Sequence, residues 1–204
     1  QITWIGYPGT TGIKAMDYIL MENTVLPGKN INAQFTEKII RIPRSYAFDV
    51  EEQLPDVTEA PCVNNNFITF GSFNRLNKIN REVIALWCEV LRKLPDSRLQ
   101  MAGMPSDGAP DELLTWFKEE EISEDRLYFY PRSGFVEYLK LHNQVDFCLD
   151  TFPYTGGTTT MHALWMGVPT LTLIGDTYPS AQGGAVNNRA GLSQYFIADS
   201  QAEF

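Results

Sequence analysis

The stretch Asp150–Pro169, DTFPYTGGTTTMHALWMGVP, holds the residues whose types and spacing are best suited to chemistry. Gly156 and Gly157 carry no Cβ and let a ligand approach the backbone closely. Thr158, Thr159 and Thr160 follow at once. If they open a helix, they offer hydroxyls together with the N–H groups that a first helical turn leaves without partners. A diphosphate suits such a loop, although threonine is also a common plain cap. A second group lies in Phe73-Asn74-Arg75-Leu76-Asn77-Lys78. One ammonium, that of Lys78, aimed at a departing diphosphate would stabilise the charge developing there. Taken singly, a lysine near a helix start also fits a solvated surface. Tyr138, beside Arg132, Ser133 and Gly134, fits a platform for a nucleobase or an ordinary half-buried tyrosine. His162, just inside the threonine helix, fits a contact to ribose or phosphate, or simple packing. Asp17 and Tyr18 follow the run Gly6-Tyr7-Pro8-Gly9-Thr10-Thr11-Gly12 and point to no single role; an aspartate there is most often a turn or cap residue.

These groups act together only if the elements between them bring them to one edge. From Phe67 onward, short apolar runs alternate with helix-period segments. Strands are expected at Phe67–Phe70, Arg98–Ala102, Leu127–Tyr130, Val145–Leu149 and Pro169–Ile174. Between them, Val83, Ile84, Trp87, Val90, Leu91 and Leu94 fall on one helical face, with Asn80 as N-cap and Pro95 as stop. Helices are also expected over Pro110–Glu121, Phe135–His142 and Met161–Met166. A Gly-rich segment, a short helix and Tyr195-Phe196-Ile197 end the pattern. Strands alternating with helices, without tight hairpin signals, predict a parallel sheet with right-handed crossovers. The fold class expected is α/β, a Rossmann-like doubly wound sheet. In such sheets ligands bind beyond the carboxyl ends of the strands, where both Lys78 and the Asp150 loop should lie. Residues 1–60 look different: short strands at Thr3–Gly6 and Lys38–Ile42, then a linker-like piece, Phe48–Asn66, rich in Pro, Glu and Asn.

Composition narrows the function classes. The chain has 204 residues and a net charge of −9, from 16 Lys+Arg against 25 Asp+Glu. An acidic chain with no basic run gains nothing from general attraction to nucleic acid or anionic lipid, so any phosphate must be held by a few placed groups. No apolar run is long enough to span a bilayer, so no membrane role is expected. Cys62, Cys88 and Cys148 show no metal-type spacing, and Cys88 and Cys148 sit in apolar runs as buried thiols would. With two histidines in all, no metal site is expected. Free thiols suit a reducing, cytoplasmic location.

Four stretches in order resemble the catalytic region of the O-linked N-acetylglucosamine transferase family, its bacterial members and the plant SPINDLY-type O-fucosyltransferases included. They are Gly6–Gly12 with Asp17-Tyr18, Phe73-Asn74 with Leu76 and Lys78, Leu149–Tyr154, and Gly157–Thr160 with Ala163–Pro169. The resemblance implies a GT-B fold with its site in the cleft between two Rossmann-like lobes. Residues 1–60 would end the first lobe and link it to the second. Residues 61–204 would form the nucleotide-sugar-binding lobe, incomplete at its C-terminus. It implies an inverting transfer without metal or other cofactor, moving a sugar, N-acetylglucosamine first, from a UDP-sugar to Ser or Thr of a protein acceptor. Lys78 would be catalytic, holding the donor diphosphate with Thr158 and Thr159. Ser133 and Tyr138 would form the nucleobase site, and Gly9 and Thr10 would lie near sugar and acceptor. Asn74, Arg75, Gly157 and His162 complete the implied donor-binding set. The base and a tetratricopeptide array would lie upstream of this chain, so the chain alone should bind nucleotide weakly and transfer little. Three positions depart from the pattern. His162 stands where an acidic residue is frequent, Arg75 where some relatives have Gln or Asn, and Ala181 where an arginine is frequent. A GDP-fucose donor, an asparagine acceptor, or a non-catalytic sugar-nucleotide-binding module are the alternatives.

Overall fold

A computed structural model describes residues 1–4, 6–26, 30–43 and 54–204. The N-terminal part forms a small parallel sheet of β1 (Ile2–Thr3), β2 (Tyr18–Glu22) and β3 (Lys38–Ile42), in that order. The first strand is shorter and earlier than the expected Thr3–Gly6, and Ile5 lies outside the described residues. Tyr18 opens the middle strand, directly after Asp17, and Ile19 and Met21 alternate into the interior as the period of a strand requires. Of the expected linker, residues 48–53 lie outside the described residues. Residues 54–60 have no regular structure. Cys62–Asn65 then form one short helix, α1, which ends at Asn66 in the left-handed region (φ 59°).

The larger unit alternates strand and helix up to its last two helices, which follow one another. In order come β4 (Thr69–Ser72), α2 (Arg81–Lys93), β5 (Arg98–Met104), α3 (Asp111–Glu119), β6 (Leu127–Pro131), α4 (Phe135–His142), β7 (Phe147–Leu149) and α5 (Thr158–Trp165). They are followed by β8 (Thr170–Leu173), α6 (Tyr178–Arg189), α7 (Ser193–Phe196) and β9 (Ile197–Ala198). All pairings are parallel, and the sheet order is β6-β5-β4-β7-β8-β9. This is the doubly wound arrangement expected, with the winding reversing between β4 and β7. At that reversal the loops leaving the two strands diverge and open a crevice beyond their carboxyl ends.

The two faces of the sheet are covered by different helices. On one, α2 and α3 bury Trp87, Leu91, Leu113 and Phe117 against Phe70 and Leu149. On the other, Phe73, Cys148, Ala163 and Val168 form a second core beneath α4 and α5. Cys148 and Leu149 therefore point to opposite cores, as neighbours on a strand must. Helix α2 begins where Asn80 Oδ1 accepts from the Val83 amide (2.9 Å). Cys88 and Cys148 are buried free thiols, and burial pushes Cys88 up to about 12. Among the described residues no helix is long and apolar enough to cross a membrane.

Helix α6 corrects the expectation of a Gly-rich segment with only a short helix. It runs for 12 residues from a Thr177–Ser180 capping box, despite Gly183 and Gly184, each about 1 kcal/mol worse than alanine inside a helix. Packing accounts for the first of them. A Cβ on Gly183 would press into Asp150 Oδ2 and come within 2.8 Å of Thr172 Oγ1. The same helix carries the small sheet: Met21, Val25, Leu26 and Ile31 pack on Tyr178, Ala181 and Ala185. Gln34 Nε2 donates to the Asp176 carbonyl (2.8 Å), and Arg189 pairs with Glu22. Ala181, where the resemblance leads one to look for arginine, is thus a buried contact between the two units.

Candidate functional site

The site is organised around a carboxylate. Asp150 follows β7 and is fully buried. Its Oδ1 accepts from the amides of Thr151 (2.9 Å) and Gly156 (2.7 Å) and from Asn74 Nδ2 (2.9 Å), and its Oδ2 from Thr172 Oγ1 (2.9 Å). Burial pushes this carboxyl up, while the bonds from Gly156, Thr172 and Thr151 and the charge of Lys78 pull it back. The four hydrogen bonds favour the anion, against the burial that disfavours it. The donors come from β4's exit, from the loop itself and from β8, so one side chain ties the three together. Thr159 Oγ1 in turn donates to Asn74 Oδ1 (2.9 Å). Asn80 Nδ2 donates to the Phe152 carbonyl (3.1 Å), and the Gly183 amide to Thr155 Oγ1 (3.1 Å). The loop is fixed from several sides.

Its end is the N-terminus of α5, capped by Gly157 with no side-chain hydrogen bond. Gly157, Thr158 and Thr159 line a cleft of about 880 Å³ that also takes in Asn74, Arg75 and Lys78. Gly156 is held too close for any side chain, its would-be Cβ 2.5 Å from Thr160 Oγ1. Lys78 Nζ donates to the Thr155 carbonyl (2.8 Å) and stands 4.1 Å from the centre of the Tyr154 ring. Burial pushes the Lys78 ammonium down, Asp150 holds it up, and Arg75 adds a smaller downward push. A half-buried cation beside a first helical turn is what a diphosphate needs. Arg75 and Arg132 bring two further cations to the same cleft of a chain whose net charge is −9.

At the other end of the cleft Tyr138 is held by aromatic neighbours. Its ring meets Phe73 edge-on (5.8 Å, 89°) and His162 likewise (5.6 Å, 73°), and lies nearly parallel to Phe135 at 6.2 Å. The Tyr138 hydroxyl is 3.3 Å from His162 Nδ1. Burial lowers both His162 and the wholly buried His142, the latter to about 4, so His142 is neutral where it stacks on Phe73 (3.9 Å). The facing wall comes from the small unit: Trp4, Gly6, Tyr7 and Pro8. Tyr7 approaches Tyr154 to 6.4 Å between ring centres.

Of the expected site residues, the cleft brings together Asn74, Arg75, Lys78, Tyr138, Gly157, Thr158, Thr159 and His162. It is not lined by Gly9, Thr10 or Ser133. Gly9 lies against the Tyr7 ring, Thr10 spends its hydroxyl on Glu37 (2.7 Å), and Ser133 is exposed, with Arg132 forming the wall beside it. Tyr154, Gln182, Trp4 and the organising role of Asp150 went unread. Tyr154 had a visible signal, an aromatic inside the glycine loop. Gln182 had none, because its helix was missed. Among the described residues no group of three or more His, Cys, Asp or Glu converges as a metal site would.

This geometry has counterparts. The profile of glycosyl transferase family 41 matches the chain in two overlapping stretches, residues 1–66 and 57–204. Over its whole length the chain is 33% identical to a probable UDP-N-acetylglucosamine–peptide N-acetylglucosaminyltransferase SPINDLY of Hordeum vulgare, of which it spans 22%. It is 27% identical to the probable UDP-N-acetylglucosamine–peptide N-acetylglucosaminyltransferase SEC of Arabidopsis thaliana, again spanning 22%. Among solved structures, a mutant of the Thermobaculum terrenum O-GlcNAc transferase superposes on the whole chain with a TM-score of 0.85 and 32% identity, the chain covering 38% of it. The chain thus spans about a fifth of the length of the curated relatives it matches. With the profile covering it from end to end, the chain belongs to glycosyl transferase family 41.

Proposed function

We propose that this chain is the nucleotide-sugar side of a protein O-glycosyltransferase, moving N-acetylglucosamine from UDP-N-acetylglucosamine to Ser or Thr. The curated relatives named above are called UDP-N-acetylglucosamine–peptide N-acetylglucosaminyltransferases, and the solved structure an O-GlcNAc transferase. The observation that carries the reading is Lys78, a half-buried cation 2.8 Å from the Thr155 carbonyl, beside the glycine-capped start of α5. In the proposed reaction the acceptor hydroxyl gives up its proton to a general base supplied by the rest of the protein, attacks the anomeric carbon in line and inverts it. The bond to the diphosphate breaks, and its electron pair leaves on the nucleotide. Lys78 and the first-turn amides of α5 stabilise that charge more in the transition state than in the bound donor, which is what accelerates the step. No metal is needed where fixed cations and amides already face the leaving group. Tyr138 offers its ring to the nucleobase, with His162 beside it toward the ribose.

The test uses the full-length protein with UDP-N-acetylglucosamine, UDP-glucose and GDP-fucose as donors. Lys78→Ala should lower turnover by about 10²–10³-fold, the scale for removing one group that stabilises developing negative charge, with the fold intact by circular dichroism. Unchanged turnover removes Lys78 from the mechanism. Preference for GDP-fucose removes the proposed donor, and nucleotide binding without transfer to any acceptor makes the protein a binding module.

A further inference from the structure

The loop Gly6–Gly12 is tied down by a residue outside any motif. Glu37, immediately before β3, is buried. One carboxylate oxygen accepts from Thr10 Oγ1 (2.7 Å), and the other from the Thr11 amide (2.7 Å) and the Thr11 hydroxyl. Those hydroxyls also accept: the Gly12 and Thr36 amides donate to Thr10 Oγ1 (3.3 and 3.1 Å), and the Ile13 amide donates to Thr11 Oγ1 (3.2 Å). Burial works against the charge, yet the bonds from Thr11 and Thr10 outweigh it and hold the carboxyl down at about 2. Among the described residues no cation pairs with it. Outside the loop, the Thr36 hydroxyl adds a longer bond to the same oxygen as Thr10 (3.2 Å). A buried carboxylate satisfied mainly by one loop's donors is costly to desolvate, and an ordinary turn closes on its own backbone without such a residue.

Upstream of the two threonines, Gly6, Tyr7 and Pro8 form the cleft wall, with Tyr7 opposite Tyr154. We propose that Glu37 is a positioning residue, latching the Gly6–Gly12 loop so that Tyr7 and Pro8 hold the wall facing the diphosphate cradle. Within the proposed transfer this wall orients the sugar and the incoming acceptor, so the inference rests on that reading. Glu37 itself touches neither substrate.

The full-length protein and its Glu37→Gln variant would be compared in four measurements: urea stability, UDP affinity by calorimetry, amide exchange over residues 9–13, and transfer kinetics. An amide offers one acceptor oxygen in place of two. Exchange at Thr11 should therefore quicken by about tenfold or more, the scale of a lost hydrogen bond to a charged group. Transfer kcat/KM for the acceptor should fall by a similar factor. UDP affinity should stay within about twofold, because Lys78 and α5 lie on the other unit. Glu37→Asp, which keeps the charge but shortens its reach, should fall between the two. Unchanged exchange overturns the latch, and faster exchange with unchanged transfer overturns the positioning role. A protein that transfers no sugar even as wild type defeats the functional reading, and exchange then decides the latch by itself. Should Glu37→Gln fail to fold, Thr11→Val removes one latch bond and takes the same four measurements.

Discussion

Gly183→Ala and Gly184→Ala make a paired experiment on one helix, because local rules predict the same outcome for both and the structure predicts opposite ones. Replacing glycine by alanine inside a helix should stabilise by about 1 kcal/mol through helix propensity. At Gly184 the nearest obstacle is the Cδ1 tip of Ile174, 3.0 Å from the added carbon. That tip can rotate away, so the variant should be neutral or stabilised by up to about 1 kcal/mol. At Gly183 the added carbon would press into Asp150 Oδ2 and lie 2.8 Å from Thr172 Oγ1 and 3.0 Å from Thr172 Cγ2. Asp150 has no free rotamer, since its oxygens are held by four donors on three segments. Overpacking of this kind costs about 1–3 kcal/mol, and loosening the Thr172 bond to a charged group adds about 1.5–3 kcal/mol. Set against the propensity gain, the net loss is about 1.5–5 kcal/mol. In a domain of this size that lowers Tm by roughly 3–20 °C. Differential scanning calorimetry on the two variants and the wild type reads this directly, and UDP titration should show weakened binding in Gly183→Ala alone. Equal Tm shifts in the two variants would refute the claim that Gly183 is kept for its approach to Asp150.

Two further outcomes test the site's foundations. Asp150→Asn keeps the shape but gives up the charge and turns one acceptor into a donor. It should cost about 2–3 kcal/mol in urea unfolding through the unsatisfied partners, and UDP affinity should fall in step. Stability within about 0.5 kcal/mol of wild type would show that the loop does not depend on the anion. The buried His142 predicts a pH dependence. Its folded value of about 4 lies below the ordinary 6.5, so the unfolded chain takes up a proton first as pH falls. The associated stability is fully present above about pH 6.5 and is lost as pH drops towards 4, up to about 3 kcal/mol. Urea midpoints from pH 7 to 4.5 should decline more steeply in the wild type than in His142→Phe. Parallel profiles would contradict it.

The strands and helices of the larger unit were readable because each buried strand is an apolar run and each helix a 3.6-residue stripe. The parallel sheet followed from their alternation, and a parallel sheet has one working edge. That is why Lys78 and Thr158, 80 residues apart in the chain, could be expected together before any coordinate was known. The errors have a common cause. Helix α6 looked broken by glycine because its reason for glycine, the Asp150 carboxylate, is supplied by a segment some 30 residues away. The strand that Tyr18 opens did not stand out because its partners, at Ile2 and Lys38, lie in distant, short runs.

Asp150 shows most plainly what a motif conceals. Within the run Leu149–Tyr154 it looks like one more residue beside the ligand loop, and an acid there invites a catalytic role. It is fully buried, with four donors from three segments on its oxygens, so its task is to hold apart and hold still the groups that do face the cleft. Thr10 follows the same logic on the facing wall: it belongs to the recognisable run, yet its hydroxyl is spent on Glu37. A carboxylate on each side thus fixes a glycine-containing loop, and both loops present backbone or aromatic surface to one cleft. A diphosphate met by a preformed cradle needs little reorganisation as its charge develops. Rigidity purchased by buried acids is consistent with such chemistry, whereas a loop meant to close over its ligand would keep its donors free for the closed state.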